Sequence, residues 1–143
     1  VEFELLDAAG NRTRASAPVT ILSQAPGALN QTLPALRPDE LLLLPPGVYT
    51  AGVTVASPVR LEPLRFGTAV TLRAESGAPL ATVGGSGVLT IAGLALESTP
   101  ACEVLMRVKG GRVALTSCAL RAAKVGIVIE NSAELDLNNV TID

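Results

Sequence analysis

The side chains best suited to binding a charged ligand form a run of cations in the second half of the sequence. Five basic residues and no acidic residue fall between residues 105 and 129: Arg107, Lys109, Arg112, Arg121 and Lys124. The last fourteen residues reverse this pattern, with four acids and no base: Glu130, Glu134, Asp136 and Asp143. The basic run has two interpretations. It is a solvated edge whose basic and acidic segments attract each other, or a stripe that binds an anionic glycan or another partner.

The composition excludes several classes of chemistry. The 143 residues include 11 basic and 13 acidic side chains, and a net charge of −2 does not favour a nucleic-acid binder. There is no histidine, which removes Ser-His-Asp catalysis and histidine-ligated zinc from this chain. The only aromatic residues are Phe3, Tyr49 and Phe66, so a base-stacking surface or a sugar-stacking platform is poorly supplied. We therefore expect no nucleic-acid partner, no metal and no cofactor.

The acidic residues do not predict a hydrolase site. Hydrolysis by paired carboxylates needs two carboxyl groups about 5–9.5 Å apart. Asp136 and Asp143 fall seven residues apart, on different predicted strands, and are expected to point in different directions. We expect no catalytic residue within this chain.

The two cysteines, Cys102 and Cys118, do not form a disulfide framework. Cys118 occupies an apolar position of a repeat described below, which predicts a small core residue and an unreactive thiol. Cys102 falls in a loop after Pro100, where its side chain can be exposed.

Residues 1–23 are predicted to form a β-hairpin. Val1–Leu5 alternates apolar and polar residues, the cluster at residues 7–11 is typical of a turn, and Ala17–Ile21 is predicted to return as the second strand. The string DAAGN followed by PVTI resembles the last hairpin of bacterial immunoglobulin-like or fibronectin-like domains. A local hairpin attached to the next domain is the alternative interpretation.

Residues 24–40 are predicted to be a linker and a short helix. Apolar residues recur there at helical spacing, and Pro34 limits the helix to a short or broken one. The longest apolar run, Leu41–Leu44, is far too short to span a membrane.

From Leu41 onward the chain repeats a short apolar pattern. A template with apolar residues at its first, third, sixth and eighth positions fits four successive segments. These are Val59, Leu61, Leu64, Phe66; Leu89, Ile91, Leu94, Leu96; Val113, Leu115, Cys118, Leu120; and Leu135, Leu137, Val140, Ile142. A second ladder of apolar pairs precedes the last three segments: Ala81 and Val83, Met106 and Val108, and Ile127 and Ile129.

This repeat predicts a solenoid of about four coils, each with three short strands. Two-residue bends divide each of the last three template segments: Ala92-Gly93, Thr116-Ser117 and Asn138-Asn139. A strand of three or four residues is unstable alone, but it is stabilised when the same strand of the next coil lies about 4.8 Å away. The glycine-rich strings at residues 84–87 and 110–111 fall at equivalent turns, so turn formation explains them better than phosphate binding.

The string Leu41–Tyr49, LLLLPPGVY, resembles the opening segment of right-handed parallel β-helix domains of the pectin-lyase-like superfamily. The resemblance covers residues 26–143. It implies that residues 28–36 cap the core and that residues 53–55 and 59–61 belong to the first coil. The expected fold is all-β, a right-handed parallel β-helix at residues 41–143, and the resemblance slightly favours an extracellular or cell-surface location.

Enzymes of this superfamily that cleave acidic polysaccharides carry their chemistry on the outer face of one ladder, as the resemblance implies. Lyases use carboxylates to hold calcium and an Arg or Lys base, whereas hydrolases use clustered Asp residues. The outward positions of the second ladder are Thr82, Arg107 and Val128, and only Arg107 fits. The outward positions of the template are Thr90, Ala95, Ala114, Ala119, Asp136 and Thr141.

Three hypotheses for function follow. The first is a non-catalytic module that serves as a rigid scaffold or binding surface in a larger protein. The second is part of a polysaccharide lyase or glycoside hydrolase whose active site lies outside this chain. The third is a self-assembling structural or spike element.

The last strand predicts a covered end. Val140–Asp143 stops within the repeat pattern, without a polar cap. Because an open solenoid end exposes strand edges and aliphatic core, we expect another protein segment or chain to cover the C-terminal coil.

Overall fold

The computed structural model describes residues 2–6, 12–16, 19–22, 28–74, 78–122 and 124–142, with residues 2–6 and 12–16 described as backbone only. Within these residues, seventeen β-strands, one α-helix and one 3₁₀ turn form a parallel β-solenoid with an added hairpin. The predicted all-β class is confirmed.

Three parallel sheets make up the solenoid, and each receives one strand from every complete coil. The six-stranded sheet contains β3 (Val19–Ile21), β4 (Glu40–Leu44), β7 (Pro58–Pro63), β10 (Val88–Ala92), β13 (Arg112–Thr116) and β16 (Glu134–Asn138). The five-stranded sheet contains β5 (Gly47–Thr50), β8 (Val70–Ala74), β11 (Ala95–Ser98), β14 (Ala119–Arg121) and β17 (Thr141–Ile142). The four-stranded sheet contains β6 (Val53–Val55), β9 (Ala81–Val83), β12 (Val104–Val108) and β15 (Val125–Ile129).

The described part of the chain completes about five turns, slightly more than the four that the repeat predicts. Four coils are complete, namely β4 to β6, β7 to β9, β10 to β12 and β13 to β15, and β16 and β17 belong to a fifth. The extra count arises because β4, β5 and β6 form a coil of their own above the first template segment. Residues 53–55 therefore end the first coil and residues 59–61 belong to the second, so the expectation that both segments lie in the first coil is wrong.

The strand register confirms the repeat over the lower coils. Leu89 pairs with Val113, and Val113 pairs with Leu135, so one template segment of the sequence corresponds to one coil of the solenoid. Leu96 and Leu120 pair in the same way. Most of these aliphatic side chains are buried, and each strand obtains its backbone hydrogen bonds from the coils above and below.

The template is wrong in the second half of the second coil. It predicts Leu64 and Phe66 in the core, but Leu72 takes the core position that pairs with Leu96, and Phe66 is fully exposed. Because Val59 pairs with Leu89, positions 59 and 72 of this coil correspond to positions 89 and 96 of the next. Six residues are therefore inserted at the bend of this coil, and residues 64–69 form what we call the inserted loop.

The predicted hairpin is correct in kind but not in its second strand. β1 (Glu2–Leu6) pairs antiparallel with β2 (Arg12–Ser16), not with residues 17–21. Val19–Ile21 instead pairs in parallel with Leu41–Leu43 as the first strand of the six-stranded sheet. The solenoid thus begins before residue 41, because this segment satisfies the open edge of β4. The predicted turn at residues 7–11 lies outside the described residues.

The predicted helix at the top of the solenoid is confirmed as α1 (Ala28–Thr32), followed by a 3₁₀ turn at Leu33–Ala35 that contains Pro34. Leu29 and Leu33 are buried, and the two segments pack against β5 and β6. The amide oxygen of Asn30 accepts a hydrogen bond from the Gly52 backbone N–H at 3.0 Å. The helix therefore covers apolar residues of the first coil.

Candidate functional site

The basic run is distributed around the third and fourth coils. Arg107 lies on the outer face of β12, Arg112 begins β13 and Arg121 ends β14, so these three residues belong to three different sheets. Lys109 and Lys124 are exposed in the turns after β12 and before β15. The structure does not bring the five cations onto one face.

Two of these cations pair with acids of the following coil. The Arg107 guanidinium lies 3.4 Å from the Glu130 carboxylate, and Arg112 pairs with Asp136. A similar pair joins Arg73 of β8 to Glu97 of β11. The attraction between basic and acidic segments expected from the sequence is therefore present. Because the pairs are partly exposed, each contributes about 1 kcal/mol or less.

The outer face of the four-stranded sheet carries the ladder on which the resemblance places catalytic groups. Thr54, Thr82, Arg107 and Val128 are adjacent there in register. No carboxylate stands among these outward positions of the described strands. The acid beside Arg107 is Glu130, which follows β15 and which the sequence did not predict to lie there.

Asp136 lies on the outer face of the six-stranded sheet, in register with Ala114 and Thr90. It is exposed and paired with Arg112. Asp143 lies outside the described residues, so the expected divergence of these two carboxyls stays a prediction. Among the described residues, no group of three or more Cys, Asp or Glu side chains is placed to hold a metal ion.

A row of left-handed residues marks the bend between the six- and five-stranded sheets. Gly93, Ser117 and Asn139 occupy equivalent positions of successive coils, with φ angles of 72°, 52° and 55°. A left-handed residue turns the chain sharply between two strands, and glycine and asparagine tolerate it best. We call this row the bend ridge.

Two surface grooves flank the bend ridge, and the inserted loop contributes to both. The first, which we call the Phe66 groove, has a volume of about 380 Å³ and is lined by Glu62, Pro63, Phe66, Ala92, Thr116 and Ser117, among others. The second also has a volume of about 380 Å³, and its polar lining comes from Thr68, Thr71, Ser117, Asn139 and Thr141. We call it the hydroxyl groove.

The Phe66 groove was not predictable from the template, which places Phe66 in the core. The signal that points to it is the long separation of Val59 from Leu89, which exceeds the separations between the later template segments. In repeat proteins an insertion within one repeat forms a loop, often on the binding face.

The solenoid is similar to the solved structure of the PL6 family alginate lyase AlyGC. The TM-score is 0.70 over 88% of this chain, with 13% sequence identity. This chain is a right-handed parallel β-helix. It spans 20% of the length of the lyase chain, so the similarity concerns the fold. No protein-family model and no curated protein matches the sequence.

The LLLLPPGVY string predicts the β-helix fold, and the structure shows what that string does. Tyr49 is buried, and its hydroxyl donates a hydrogen bond to the Pro45 carbonyl oxygen at 2.6 Å. This contact joins the end of β4 to β5 across the first corner. The string therefore specifies a corner of the β-helix rather than an activity.

Both cysteines lie in the core of the β-helix. Cys118 is buried as predicted, and burial raises the pKa of its thiol, which keeps it protonated and unreactive. Cys102 is also fully buried, so the exposed position expected after Pro100 is wrong. Its Sγ lies 3.3 Å from the Ala74 carbonyl oxygen, because the turn at residues 99–102 folds the side chain inward.

No described helix is long and apolar enough to cross a membrane.

Proposed function

We propose that this chain is a non-catalytic β-helix module that acts as a rigid scaffold or binding surface in a larger protein. The observation that carries the proposal is the outer face of the four-stranded sheet. Its outward positions are Thr54, Thr82, Arg107 and Val128, and the only one of them with an ionisable group is Arg107, which is paired with Glu130. Acid–base cleavage of a polysaccharide needs two groups that exchange protons with the substrate, whereas Arg107 and Glu130 pair with each other at 3.4 Å.

The β-helix itself supports the scaffold role. Its core is a continuous stack of buried aliphatic side chains, and parallel ladders join every complete coil to the next. Such a stack holds the side chains on its outer faces at a spacing set by the strands, about 4.8 Å per coil. Groups on a rigid surface bind a ligand at a smaller entropic cost than groups on a mobile one.

The test is a search for cleavage. The chain is incubated with polygalacturonate, alginate or chondroitin, with and without calcium, and reducing ends and unsaturated products are measured. We expect no turnover of any polymer. Turnover by the wild type that disappears in Arg107→Ala would show that the four-stranded sheet carries an active site after all. Arg60→Ala, on the outer face of the six-stranded sheet, is the matched control.

The second candidate is a portion of a polysaccharide lyase whose active site lies outside residues 1–143. The similarity to the alginate lyase structure favours it, since this chain matches 20% of that longer chain. The two candidates differ in the activity expected of a longer polypeptide that contains residues 1–143. Cleavage of alginate by a longer polypeptide, but not by residues 1–143, supports the second candidate.

We also propose that a protein segment or chain packs on the C-terminal coil. Leu137 and Ile142 are 45% and 67% exposed, although the residues they stack on, Leu115 and Leu120, are buried. A second copy of this chain in that position corresponds to the self-assembling element.

An anionic glycan on the basic run remains a separate proposal, supported by the exposure of Lys109 and Lys124.

A further inference from the structure

The inserted loop is held in place rather than left free. At its start, the Leu64 N–H donates to the Leu44 carbonyl oxygen at 2.8 Å, and at its end the Ala69 carbonyl oxygen accepts from the Gly47 N–H at 3.1 Å. Within it, the Thr68 hydroxyl donates to the Arg65 carbonyl oxygen at 2.7 Å. These bonds fix a turn between two strands of the β-helix.

This turn projects Phe66 into solvent. The side chain is 103% exposed relative to a reference residue, although a phenyl ring has a large apolar surface that normally favours burial. Phe66 also lines the Phe66 groove beside the bend ridge. A loop that is anchored at both ends and exposes its only aromatic ring is suited to presenting that ring to a ligand.

The polar lining of the Phe66 groove is close to the ring. Glu62 supplies a carboxylate that accepts hydrogen bonds, and Thr116 and Ser117 supply hydroxyls that donate and accept them. Across the bend ridge, Ser117 and the inserted loop continue into the hydroxyl groove. Each groove has the volume of a small-ligand site, and together they extend over more than one coil.

This combination matches the surface of a sugar. A pyranose ring has an apolar C–H face that packs on a phenyl ring, and hydroxyls at its edge that bond to carboxylate and hydroxyl groups. Among the described residues lining the two grooves, Glu62 is the only charged one. The Arg60 guanidinium lies 3.8 Å from its carboxylate, and no described basic side chain lines either groove to bind a uronate or a phosphate, so the lining favours a neutral ligand over an acidic one.

We propose that the Phe66 groove, extended by the hydroxyl groove, binds a neutral oligosaccharide whose one ring stacks on Phe66 while its hydroxyls bond to Glu62, Thr116 and Ser117. The proposal rests on the proposed function, since it names the ligand class of the binding surface. The site lies at the bend between the six- and five-stranded sheets, away from the four-stranded sheet. It is also separate from the basic run.

The experiment is an NMR titration of the isotope-labelled chain with cellohexaose, mannohexaose and xylohexaose. An alginate hexasaccharide is the acidic comparison. We expect at least one neutral probe to shift the amides of residues 62–69, 92–93 and 116–117, and to bind more tightly than the alginate probe. Phe66→Ala is expected to weaken this binding about tenfold, and Phe66→Tyr, which keeps the ring, to retain it.

Val125→Ala is the matched control, because Val125 is an exposed apolar residue of β15, in the four-stranded sheet, and lines neither groove. It is expected to leave binding unchanged. Glu62→Gln is expected to reduce the preference for neutral over acidic probes.

The inference is overturned if no neutral probe binds at millimolar concentration, if Phe66→Ala binds like the wild type, or if the alginate probe binds most tightly. Cleavage of a probe during the titration contradicts the proposed function instead.

Discussion

Cys118 illustrates what a single residue contributes in a stacked repeat. Its position in the template predicts burial, and the structure places it in the core with its Sγ 3.5 Å from the Ile91 carbonyl oxygen of the coil above. Cys102 shows the opposite case. It belongs to no template position, so the sequence carries no signal for its burial, which depends on how a turn folds back over Ala74.

Cys118→Asp is expected to destabilise the β-helix by several kcal/mol. An aspartate at this position places an unpaired charge among stacked aliphatic side chains, and burying such a charge is costly. The measurement is the thermal unfolding midpoint by calorimetry. Cys118→Ala, which is expected to cost only about 1 kcal/mol, is the control for loss of the thiol. A midpoint equal to that of the wild type in the aspartate variant would contradict the alignment of the coils.

At the scale of elements, the turns set how closely the coils stack. The turns before β10 and β13 are rich in glycine, and the backbones approach each other closely there. A Cβ atom added at Gly111 would clash with the Gly87 carbonyl oxygen, and Gly111 also has a φ angle of 72°. Glycine is required at this position both by the space and by the backbone conformation.

Gly111→Ala is therefore expected to destabilise the chain by more than about 2 kcal/mol, from left-handed strain and the contact with Gly87. Gly84→Ala is the matched control, because Gly84 lies in an equivalent turn where an added Cβ atom would meet nothing within 4 Å. It is expected to change stability by less than about 1 kcal/mol. Chemical denaturation of both variants measures the difference. Equal free energies of unfolding for the Gly111→Ala and Gly84→Ala variants would show that the turns before β10 and β13 can move apart without loss of stability.

At the scale of the whole molecule, the two ends of the β-helix differ. At the first coil, α1 and β3 cover strands and apolar residues. At the C-terminal coil, β15, β16 and β17 are edge strands of their sheets in the described chain, and Leu137 and Ile142 are exposed. Edge strands with exposed apolar residues favour association with another strand.

The chain alone is accordingly expected to associate as its concentration rises. Light scattering across a concentration series measures its mass, and Leu137→Lys combined with Ile142→Lys is expected to reduce the association. Ile21→Lys, an exposed apolar residue of β3, is the control. A monomer at all concentrations, with the amides of β16 protected from hydrogen exchange, would show that this coil needs no cover.

Much of the β-helix was predictable from the sequence, because the core is built from a local pattern. Leu89, Val113 and Leu135 are all aliphatic and recur at nearly constant spacing, and the same spacing sets their pairing in the sheet. The short helix at the top was predictable for the same reason, since Leu29 and Leu33 recur at helical spacing. Such periodic signals need no knowledge of distant contacts.

Only the tertiary structure decided the positions of residues that do not follow the apolar repeat. The return strand of the hairpin is Arg12–Ser16, and Val19–Ile21 joins the six-stranded sheet because the edge of β4 offers it hydrogen bonds. Because of the six-residue insertion, Leu72 rather than Phe66 occupies the core position that pairs with Leu96, and Phe66 lies at the surface. Only the pairing between coils reveals this exchange. The candidate groove lies there because an insertion in a stacked repeat leaves the core unchanged and adds to the outside.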